Sequence, residues 1–143
     1  MEMESKYILR FDGGACPNPG PCIGSYVIYE FKNGIKNIKG EGGIYEDIIG
    51  TNNNGEYLGL IEGLKKAIEL DIKVLHVESD AMLVIYQMNE KGKVTNKNLI
   101  ELYNQAVNLI KNFNYIDFSH IYRHQNSYTD SLYRKTLELK KSW

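Results

Sequence analysis

The chain has 143 residues, of which 43% are hydrophobic and 24% are charged, and its formal net charge at pH 7 is −1. A globular chain of this size is expected to form one domain that buries roughly 68% of its unfolded surface. No apolar run reaches the roughly 18 residues of a membrane-spanning helix, and the short acidic start is unlike a secretory signal, so we expect a cytoplasmic protein with no membrane partner.

The first part of the chain predicts three consecutive strands. Residues 7–11 alternate in polarity and run into an Asp-Gly-Gly sequence, which indicates a strand followed by a turn. Residues 23–31 read as a second strand. The pair Asn33-Gly34 is a strong signal for a two-residue hairpin, so a third strand over about 35–44 should lie antiparallel to the second.

The remainder of the chain alternates predicted helices and strands. Apolar residues at helical spacing predict helices over 53–70, from near residue 80, around 99–110 and around 128–137. Short apolar stretches predict strands at 74–77 and 116–121. The order β-β-β-α-β-α-α-β-α indicates an α/β fold with one mixed sheet and helices on its faces.

Four acidic residues, Asp12, Glu56, Asp80 and Asp130, each lie where a predicted element begins or ends. Taken singly, each has an ordinary structural interpretation. Asp12 can begin an Asp-Gly turn. The other three acids lie at or near helix starts, where the helix dipole stabilises a carboxylate.

The caps of three helices are open to more than one interpretation. Asn53 with Glu56, and Ser127 with Asp130, match the spacing of a capping box. Either Ser79 or Asp80 could cap the helix that follows the fourth strand. Capping does not exclude a second role at these positions.

Together, the four acids predict a carboxylate cluster beside the first strand. Such a cluster repels itself and raises the pKa values of its members unless a divalent cation neutralises it. Oxygen ligands favour Mg²⁺ or Mn²⁺ over zinc, and Cys16 and Cys22 have no histidine nearby and are expected to be free thiols. Paired-metal sites of this kind cut phosphodiesters, so the pattern indicates a nuclease.

Five motifs in this order resemble type 1 ribonuclease H, in the short form of its archaeal-like and plant-like members. They are residues 11–15 (FDGGA), 17–20 (PNPG), 51–56 (TNNNGE), 77–80 (VESD) and 123–130 (RHQNSYTD). The resemblance implies a ribonuclease H-like, five-stranded mixed sheet, with its first three strands antiparallel and helices on its flanks. It also implies a monomer that binds RNA–DNA hybrid and cleaves its RNA strand to 5′-phosphate and 3′-hydroxyl products.

By resemblance, the four acids take the places of the family's metal ligands. Asp12 would bridge two metal ions, Asp130 would bind the first, and Glu56 and Asp80 the second. One ion would lower the pKa of the attacking water and the other would stabilise the leaving 3′ oxygen, with the ions roughly 4 Å apart.

The resemblance also implies residues that read the RNA 2′-hydroxyl, the group that distinguishes RNA from DNA. The candidates are the backbone around Gly13, Gly14 and Ala15 and the amides of Asn18, Asn52 and Asn53. Turn or cap roles are the alternative interpretation of the asparagines. The glycines after Asp12 are expected to let backbone approach the substrate closely.

The chain departs from many bacterial members of that family in two regions. Arg123 and His124 precede Asp130 by only seven and six residues. Arg123 could contact phosphate or a metal-bound water and His124 could assist protonation, or both could be surface residues. Residues 86–98 are too few for a basic protrusion.

The near-neutral charge gives weak support to nucleic-acid binding. A local basic face could still form, or its members could be ordinary solvated residues. The candidates are Lys91, Lys93, Lys97, Arg134, Lys135, Lys140 and Lys141. Two alternatives to a hybrid nuclease stay open: a non-catalytic relative that binds hybrid or structured RNA, and a nuclease of the same fold that cuts DNA.

Overall fold

The computed structural model describes residues 5–90 and 93–143. Within these ranges the strands are β1 (Lys6–Ala15), β2 (Gly20–Lys32), β3 (Ile35–Gly50), β4 (Val74–Ser79) and β5 (Tyr115–His120). The helices are α1 (Asn52–Glu69), α2 (Met82–Met88), α3 (Lys97–Ile110) and α4 (Ser127–Leu139). A short 3-10 turn, Arg123–Asn126, precedes α4 and is the one described element that the sequence did not predict.

The strands form one sheet in the order β3-β2-β1-β4-β5. The first three strands are antiparallel, whereas β4 pairs in parallel with both β1 and β5. The predicted α/β fold with a five-stranded mixed sheet is confirmed. The Asn33-Gly34 hairpin is also confirmed, since both residues have positive φ angles, 54° and 76°, as its tight turn requires.

The two faces of the sheet carry different layers. Leu9 and Phe11 of β1 point into the main core, which α1, α2 and α3 cover. Val27 and Tyr29 of β2 point to the opposite face, where they pack against Leu132 of α4. Side chains alternate along a strand, so Ile8, Arg10 and Asp12 share the α4 side of β1. No helix in the described residues is long and apolar enough to cross a membrane.

The first strand continues past the point at which a turn was expected. Asp12 pairs with Ser25, and the ladder with β2 runs on to Ala15 and Cys22. The Asp-Gly turn is therefore wrong. The ladder with β4, in contrast, covers only residues 8–10 of β1, so Asp12 lies beyond the end of the parallel pairing.

The cap of α1 differs from the expected one. Thr51 is the N-cap residue, and its backbone N–H and Oγ1 both donate to Asn54 Oδ1, at 3.0 and 2.9 Å. Asn53 therefore lies inside the first turn. The capping box of Asn53 with Glu56 is wrong, and the Glu56 side chain is not used to cap the helix.

The other two expected caps are also wrong. Ala81 precedes α2 in the N-cap position, and Ser79 Oγ accepts a hydrogen bond from the Ala81 N–H at 3.1 Å. Helix α4 already begins at Ser127, so Ser127 and Asp130 do not form a capping box. The Asp80 carboxylate, like that of Glu56, therefore does not cap a helix.

A line of glycines brings α1 into direct contact with the sheet. Gly55, Gly59 and Gly63 recur at every fourth position and face β1 and β2. A Cβ at Gly59 would overlap the carbonyl oxygen of Asp12, and a Cβ at Gly13 would overlap that of Gly55. Gly13 thus makes room for α1, a role that the sequence analysis did not foresee.

Candidate active site

All four acidic side chains line a single cavity of about 250 Å³. Its walls are formed by Asp12, Gly13, Gly14, Asn52, Glu56, Asp80, Arg123, Asn126, Asp130 and Tyr133. Residues separated by more than a hundred positions along the chain therefore meet at one end of the sheet.

Each acid is delivered by a different element. Asp12 lies on β1, and Asp80 directly follows the neighbouring strand β4. Glu56 is one turn into α1, which the glycine contacts hold against β1, and Asp130 lies in the first turn of α4. The cavity therefore opens where the parallel ladder between β1 and β4 ends.

Burial and mutual repulsion disturb two of the carboxyl groups. Burial raises the pKa of Asp12 to about 7; the hydrogen bond from the Gly13 N–H opposes this, and the charges of Asp80 and Asp130 add to it. Burial, together with the charges of Asp12 and Asp80, raises the pKa of Glu56 to about 8. The protein alone does not compensate this cluster of charge, which is the condition that favours a bound cation.

The other two acids have polar partners. Asp80 Oδ1 accepts a hydrogen bond from Asn126 Nδ2 at 2.7 Å. Asp130 Oδ2 lies 2.9 Å from Nη2 of Arg134, whose side chain is 71% exposed. An ion pair that exposed is worth at most about 1 kcal/mol, so Asp130 can exchange this partner for another cation.

The oxygen-rich cavity fits a hard divalent cation. In the part of the chain that the structure describes, no three His, Cys, Asp or Glu side chains converge tightly on one point. Mg²⁺ does not need such a cage, because it keeps several waters and uses one or two carboxylates together with substrate phosphates. The buried Asn126 also lines the cavity, and its Oδ1 has no hydrogen-bond partner among the described residues.

The expected substrate contacts separate into two groups. Gly13, Gly14 and Asn52 line the cavity, whereas Ala15, Asn18 and Asn53 do not. Asn52 Oδ1 accepts from the Ala15 N–H at 2.9 Å, and the Asn52 N–H donates to Asn18 Oδ1 at 3.3 Å. Ala15 and Asn18 therefore hold Asn52 in place.

The two candidates on the 3-10 turn also differ. Arg123 lines the cavity. His124 does not; it is exposed and stacks on Tyr122, with ring centroids 6.1 Å apart and an interplanar angle of 6°.

Sequence reasoning missed two residues of the cavity, Asn126 and Tyr133. Asn126 stands four residues before Asp130 in the motif RHQNSYTD and was not singled out. Tyr133 is three residues after Asp130, a spacing that puts both on one face of a helix. Burial, followed by the neighbouring Cys16, Asp12 and Asp130, raises the pKa of the Tyr133 phenol.

Of the two interpretations of the basic residues, the structure does not support a single basic face for those placed on the helices. Lys97 lies on α3 and Arg134 and Lys135 on α4, and these helices cover opposite faces of the sheet. Lys135 makes a cation–π contact with Trp143, with Nζ 3.7 Å from the centroid of the ring. Lys91, a further member of that set, lies outside the described residues.

The raised pKa values predict that the metal-free protein loses stability as the pH rises. On folding, the pKa values of Asp12 and Glu56 shift from ordinary values of about 4 to about 7 and about 8, respectively. The two carboxyl groups contribute fully to the free energy of unfolding below their unfolded-state pKa. This contribution is lost as the pH rises through their folded-state pKa values. Thermal unfolding in EDTA should therefore show a falling Tm between about pH 4 and 8, with a flatter profile for Glu56→Gln.

Addition of Mg²⁺ is expected to raise Tm more at pH 8.5 than at pH 6, because the cation binds the deprotonated carboxylates. A Tm difference between Glu56→Gln and wild type that stays the same at every pH would contradict this account of the cavity.

Comparisons with known proteins show which family the chain and its fold resemble. A family model described as reverse transcriptase-like matches residues 47–136. The bifunctional protein Rv2228c of Mycobacterium tuberculosis is 34% identical over 127 residues, which cover 89% of this chain and 34% of that protein. The chain thus spans about a third of the length of this relative.

Solved structures are similar over almost the whole chain. The N-terminal RNase H domain of Rv2228c superposes with a TM-score of 0.86 at 32% identity, covering 96% of each chain. RNase H1 from the archaeon Halobacterium salinarum has a TM-score of 0.84 at 26% identity, covering 93% of this chain and 98% of that one. LC11-RNase H1, solved in complex with an RNA/DNA hybrid, has a TM-score of 0.83 at 28% identity, covering 94% and 98%.

Proposed function

The chain belongs to the ribonuclease H family, and from this membership we propose that it is a metal-dependent endonuclease that hydrolyses the RNA strand of RNA–DNA hybrids. The observation that carries the proposal is the meeting of Asp12, Glu56, Asp80 and Asp130 in one oxygen-rich cavity. The proposed enzyme is a single catalytic domain that acts as a cytoplasmic monomer.

The four carboxylates are the proposed ligands of two divalent cations, Mg²⁺ or Mn²⁺. Asp12, Glu56, Asp80 and Asp130 would together hold these ions, with Asp12 placed between the other three. When bound, such a pair activates the attacking water and stabilises the leaving 3′ oxygen, giving 5′-phosphate and 3′-hydroxyl products. Asn126 keeps the Asp80 carboxylate turned into the cavity through their 2.7 Å hydrogen bond.

Selection of RNA is assigned to the wall of the cavity formed by Gly13, Gly14 and Asn52. Because Asn52 Oδ1 already accepts from the Ala15 N–H, its amide nitrogen is left to donate to a 2′-hydroxyl. The 2′-hydroxyl is the group by which a protein distinguishes RNA from DNA.

Two residues of the 3-10 turn have proposed roles in the reaction. Arg123, which lines the cavity, is assigned a contact with a substrate phosphate. The exposed His124 imidazole, next to Arg123 in the chain, assists protonation of the leaving oxygen.

A substrate panel tests the proposal. Labelled RNA–DNA hybrid, double-stranded RNA and double-stranded DNA are incubated with the protein in Mg²⁺, Mn²⁺ or EDTA. The expected result is cleavage of the hybrid's RNA strand alone, with either metal and not in EDTA. Binding of hybrid without turnover would support a non-catalytic relative, and cleavage of double-stranded DNA would support a DNA nuclease.

Hybrid cleavage is expected to depend strongly on salt. A protein that binds hybrid neutralises backbone phosphates and releases their counterions, whatever its own net charge, which here is −1. Added salt reduces the gain from releasing these counterions, so affinity falls with every phosphate contacted. KM should therefore rise by at least about tenfold between 50 and 200 mM salt. A KM that stays flat over this range would contradict phosphate-driven binding.

A further inference from the structure

Arg10 and Glu78 form a shielded ion pair beside the cavity but do not line it. They are directly opposed on the parallel strands β1 and β4, with Arg10 Nε 2.9 Å from Glu78 Oε1. Only 25% of the Arg10 side chain and 24% of the Glu78 side chain are exposed. Each lies two residues before a carboxylate of the site: Arg10 shares a face of β1 with Asp12, and Glu78 precedes Asp80, which follows the end of β4.

Arg10 also reaches the turn that covers one wall of the cavity. Its Nη1 donates to the backbone carbonyl of Gln125 at 3.0 Å. Gln125 belongs to the 3-10 turn, whose backbone closes through the hydrogen bond from the Gln125 N–H to the Tyr122 carbonyl at 2.9 Å. Arg10 therefore connects the sheet directly to the backbone of this turn.

The same turn carries two residues that line the cavity, one of which bonds a carboxylate. Asn126 Nδ2 donates to Asp80 Oδ1 at 2.7 Å and to the Phe11 carbonyl at 2.9 Å, and Arg123 lines the cavity. A displacement of the turn would move both side chains. The orientation of Asp80 therefore depends on where the turn lies.

The chemistry of arginine suits this position. Its planar fork offers several donors, so one nitrogen can bond Glu78 while another bonds Gln125. The guanidinium also lies over the Tyr29 ring, 5.7 Å from its centroid. A lysine, with a single ammonium group, does not reproduce this geometry.

We propose that Arg10, held by Glu78, is a positioning residue that fixes the 3-10 turn so that Asn126 and Arg123 line the cavity. This inference rests on the proposed function for its effect on catalysis. Because Arg10 does not line the cavity, its removal acts mainly on turnover, with a smaller effect on substrate binding through Arg123.

Steady-state kinetics on hybrid substrate test the effect on catalysis. Arg10→Met is expected to lower kcat about tenfold and to change KM by less than about twofold, since a small misplacement of reacting groups is costly. Arg10→Lys should recover only part of this loss, and Glu78→Gln should have a smaller effect because it keeps an acceptor. Lys36→Met is the matched control: its ammonium lies 4.6 Å from the centroid of the same Tyr29 ring but does not bond the turn.

Two further measurements separate positioning from a general loss of structure. Amide hydrogen exchange of the substrate-free protein should become faster at Gln125 and Asn126 in Arg10→Met, and stay unchanged in Lys36→Met. The losses in kcat for Arg10→Met and Asn126→Ala should not add in the double variant, because both act through one turn.

Three results would overturn the inference: an unchanged kcat in Arg10→Met, a KM increase that accounts for the whole loss, or unchanged exchange in the turn. Failure of the proposed function is a separate outcome. It would appear as a wild-type protein that does not cleave hybrid, and the exchange measurement, made without substrate, would still decide whether Arg10 holds the turn.

Discussion

Asp12→Asn is expected to lower hybrid cleavage by at least about a thousandfold, the upper range for loss of a single charge-stabilising group in an active site. Asp12 is the most central of the four acids, because the charges of Asp80 and Asp130 both act on it and its own charge acts on Glu56. Asparagine keeps the shape of the side chain but removes the charge that would hold a cation. Single-turnover cleavage at saturating enzyme measures the loss without interference from weak substrate binding.

The fold is expected to survive this change and even to gain stability without metal. Burial and repulsion raise the pKa of Asp12 to about 7, so at pH 8 the metal-free wild type holds an unfavourable charge that asparagine lacks. Asp117→Asn is the matched control, since Asp117 pairs with His76 on the neighbouring strand and lies outside the cavity. Asp12→Asn with undiminished cleavage, or equal losses in both variants, would contradict the assignment.

Gly59→Ala is expected to destabilise the fold by about 3 kcal/mol, at the upper end of the usual range for overpacking. A Cβ at this position would overlap the backbone carbonyl of Asp12, which cannot move without disturbing β1. Helix α1 would have to shift away from the sheet, carrying Glu56 with it. Activity should therefore fall together with the free energy of unfolding measured in urea.

Gly40→Ala provides the comparison for this experiment. A Cβ at Gly40 would lie 3.1 Å from Cγ of Lys66, a side chain that can move aside. The expected change in the free energy of unfolding is within about 0.5 kcal/mol. If Gly59→Ala were equally mild, the direct contact between α1 and β1 would not be what positions Glu56.

Local sequence patterns were sufficient for the element order and the sheet. The Asn33-Gly34 hairpin fixes how β2 and β3 pair, because few residue pairs adopt two consecutive positive φ angles readily. Hydrophobic periodicity identified the helices, since each buries one face. The order of the four acids along the chain was enough to expect that they meet.

Element boundaries were less predictable, because partners distant in sequence decide them. Asp12 is in a strand since β2 continues beside it as far as Gly20, and nothing near Asp12 in the sequence indicates this. The capping boxes failed for a related reason. Thr51 with Asn54 offered an alternative cap at almost the same place as Asn53 with Glu56, and packing against β1 selected between them.

Contacts in and around the site were the least predictable from the sequence. The pairing of Arg10 with Glu78 depends on the register of two parallel strands that are 68 residues apart in sequence. The glycine spacing in α1 was visible in the sequence, but its meaning depends on which strand the helix covers. Asn126 became recognisable only through its hydrogen bond to Asp80 and its unpartnered oxygen.

The most direct measurement is the anomalous diffraction of crystals of the protein grown or soaked with Mn²⁺. If the carboxylates form a cation site, anomalous peaks should lie inside the cavity, within bonding distance of Asp12 and at least one of Glu56, Asp80 and Asp130. The peaks should vanish from crystals of Asp12→Asn treated in the same way. Well-ordered crystals in which Mn²⁺ binds only elsewhere on the surface, while the wild-type cavity holds none at saturating concentration, would contradict the account.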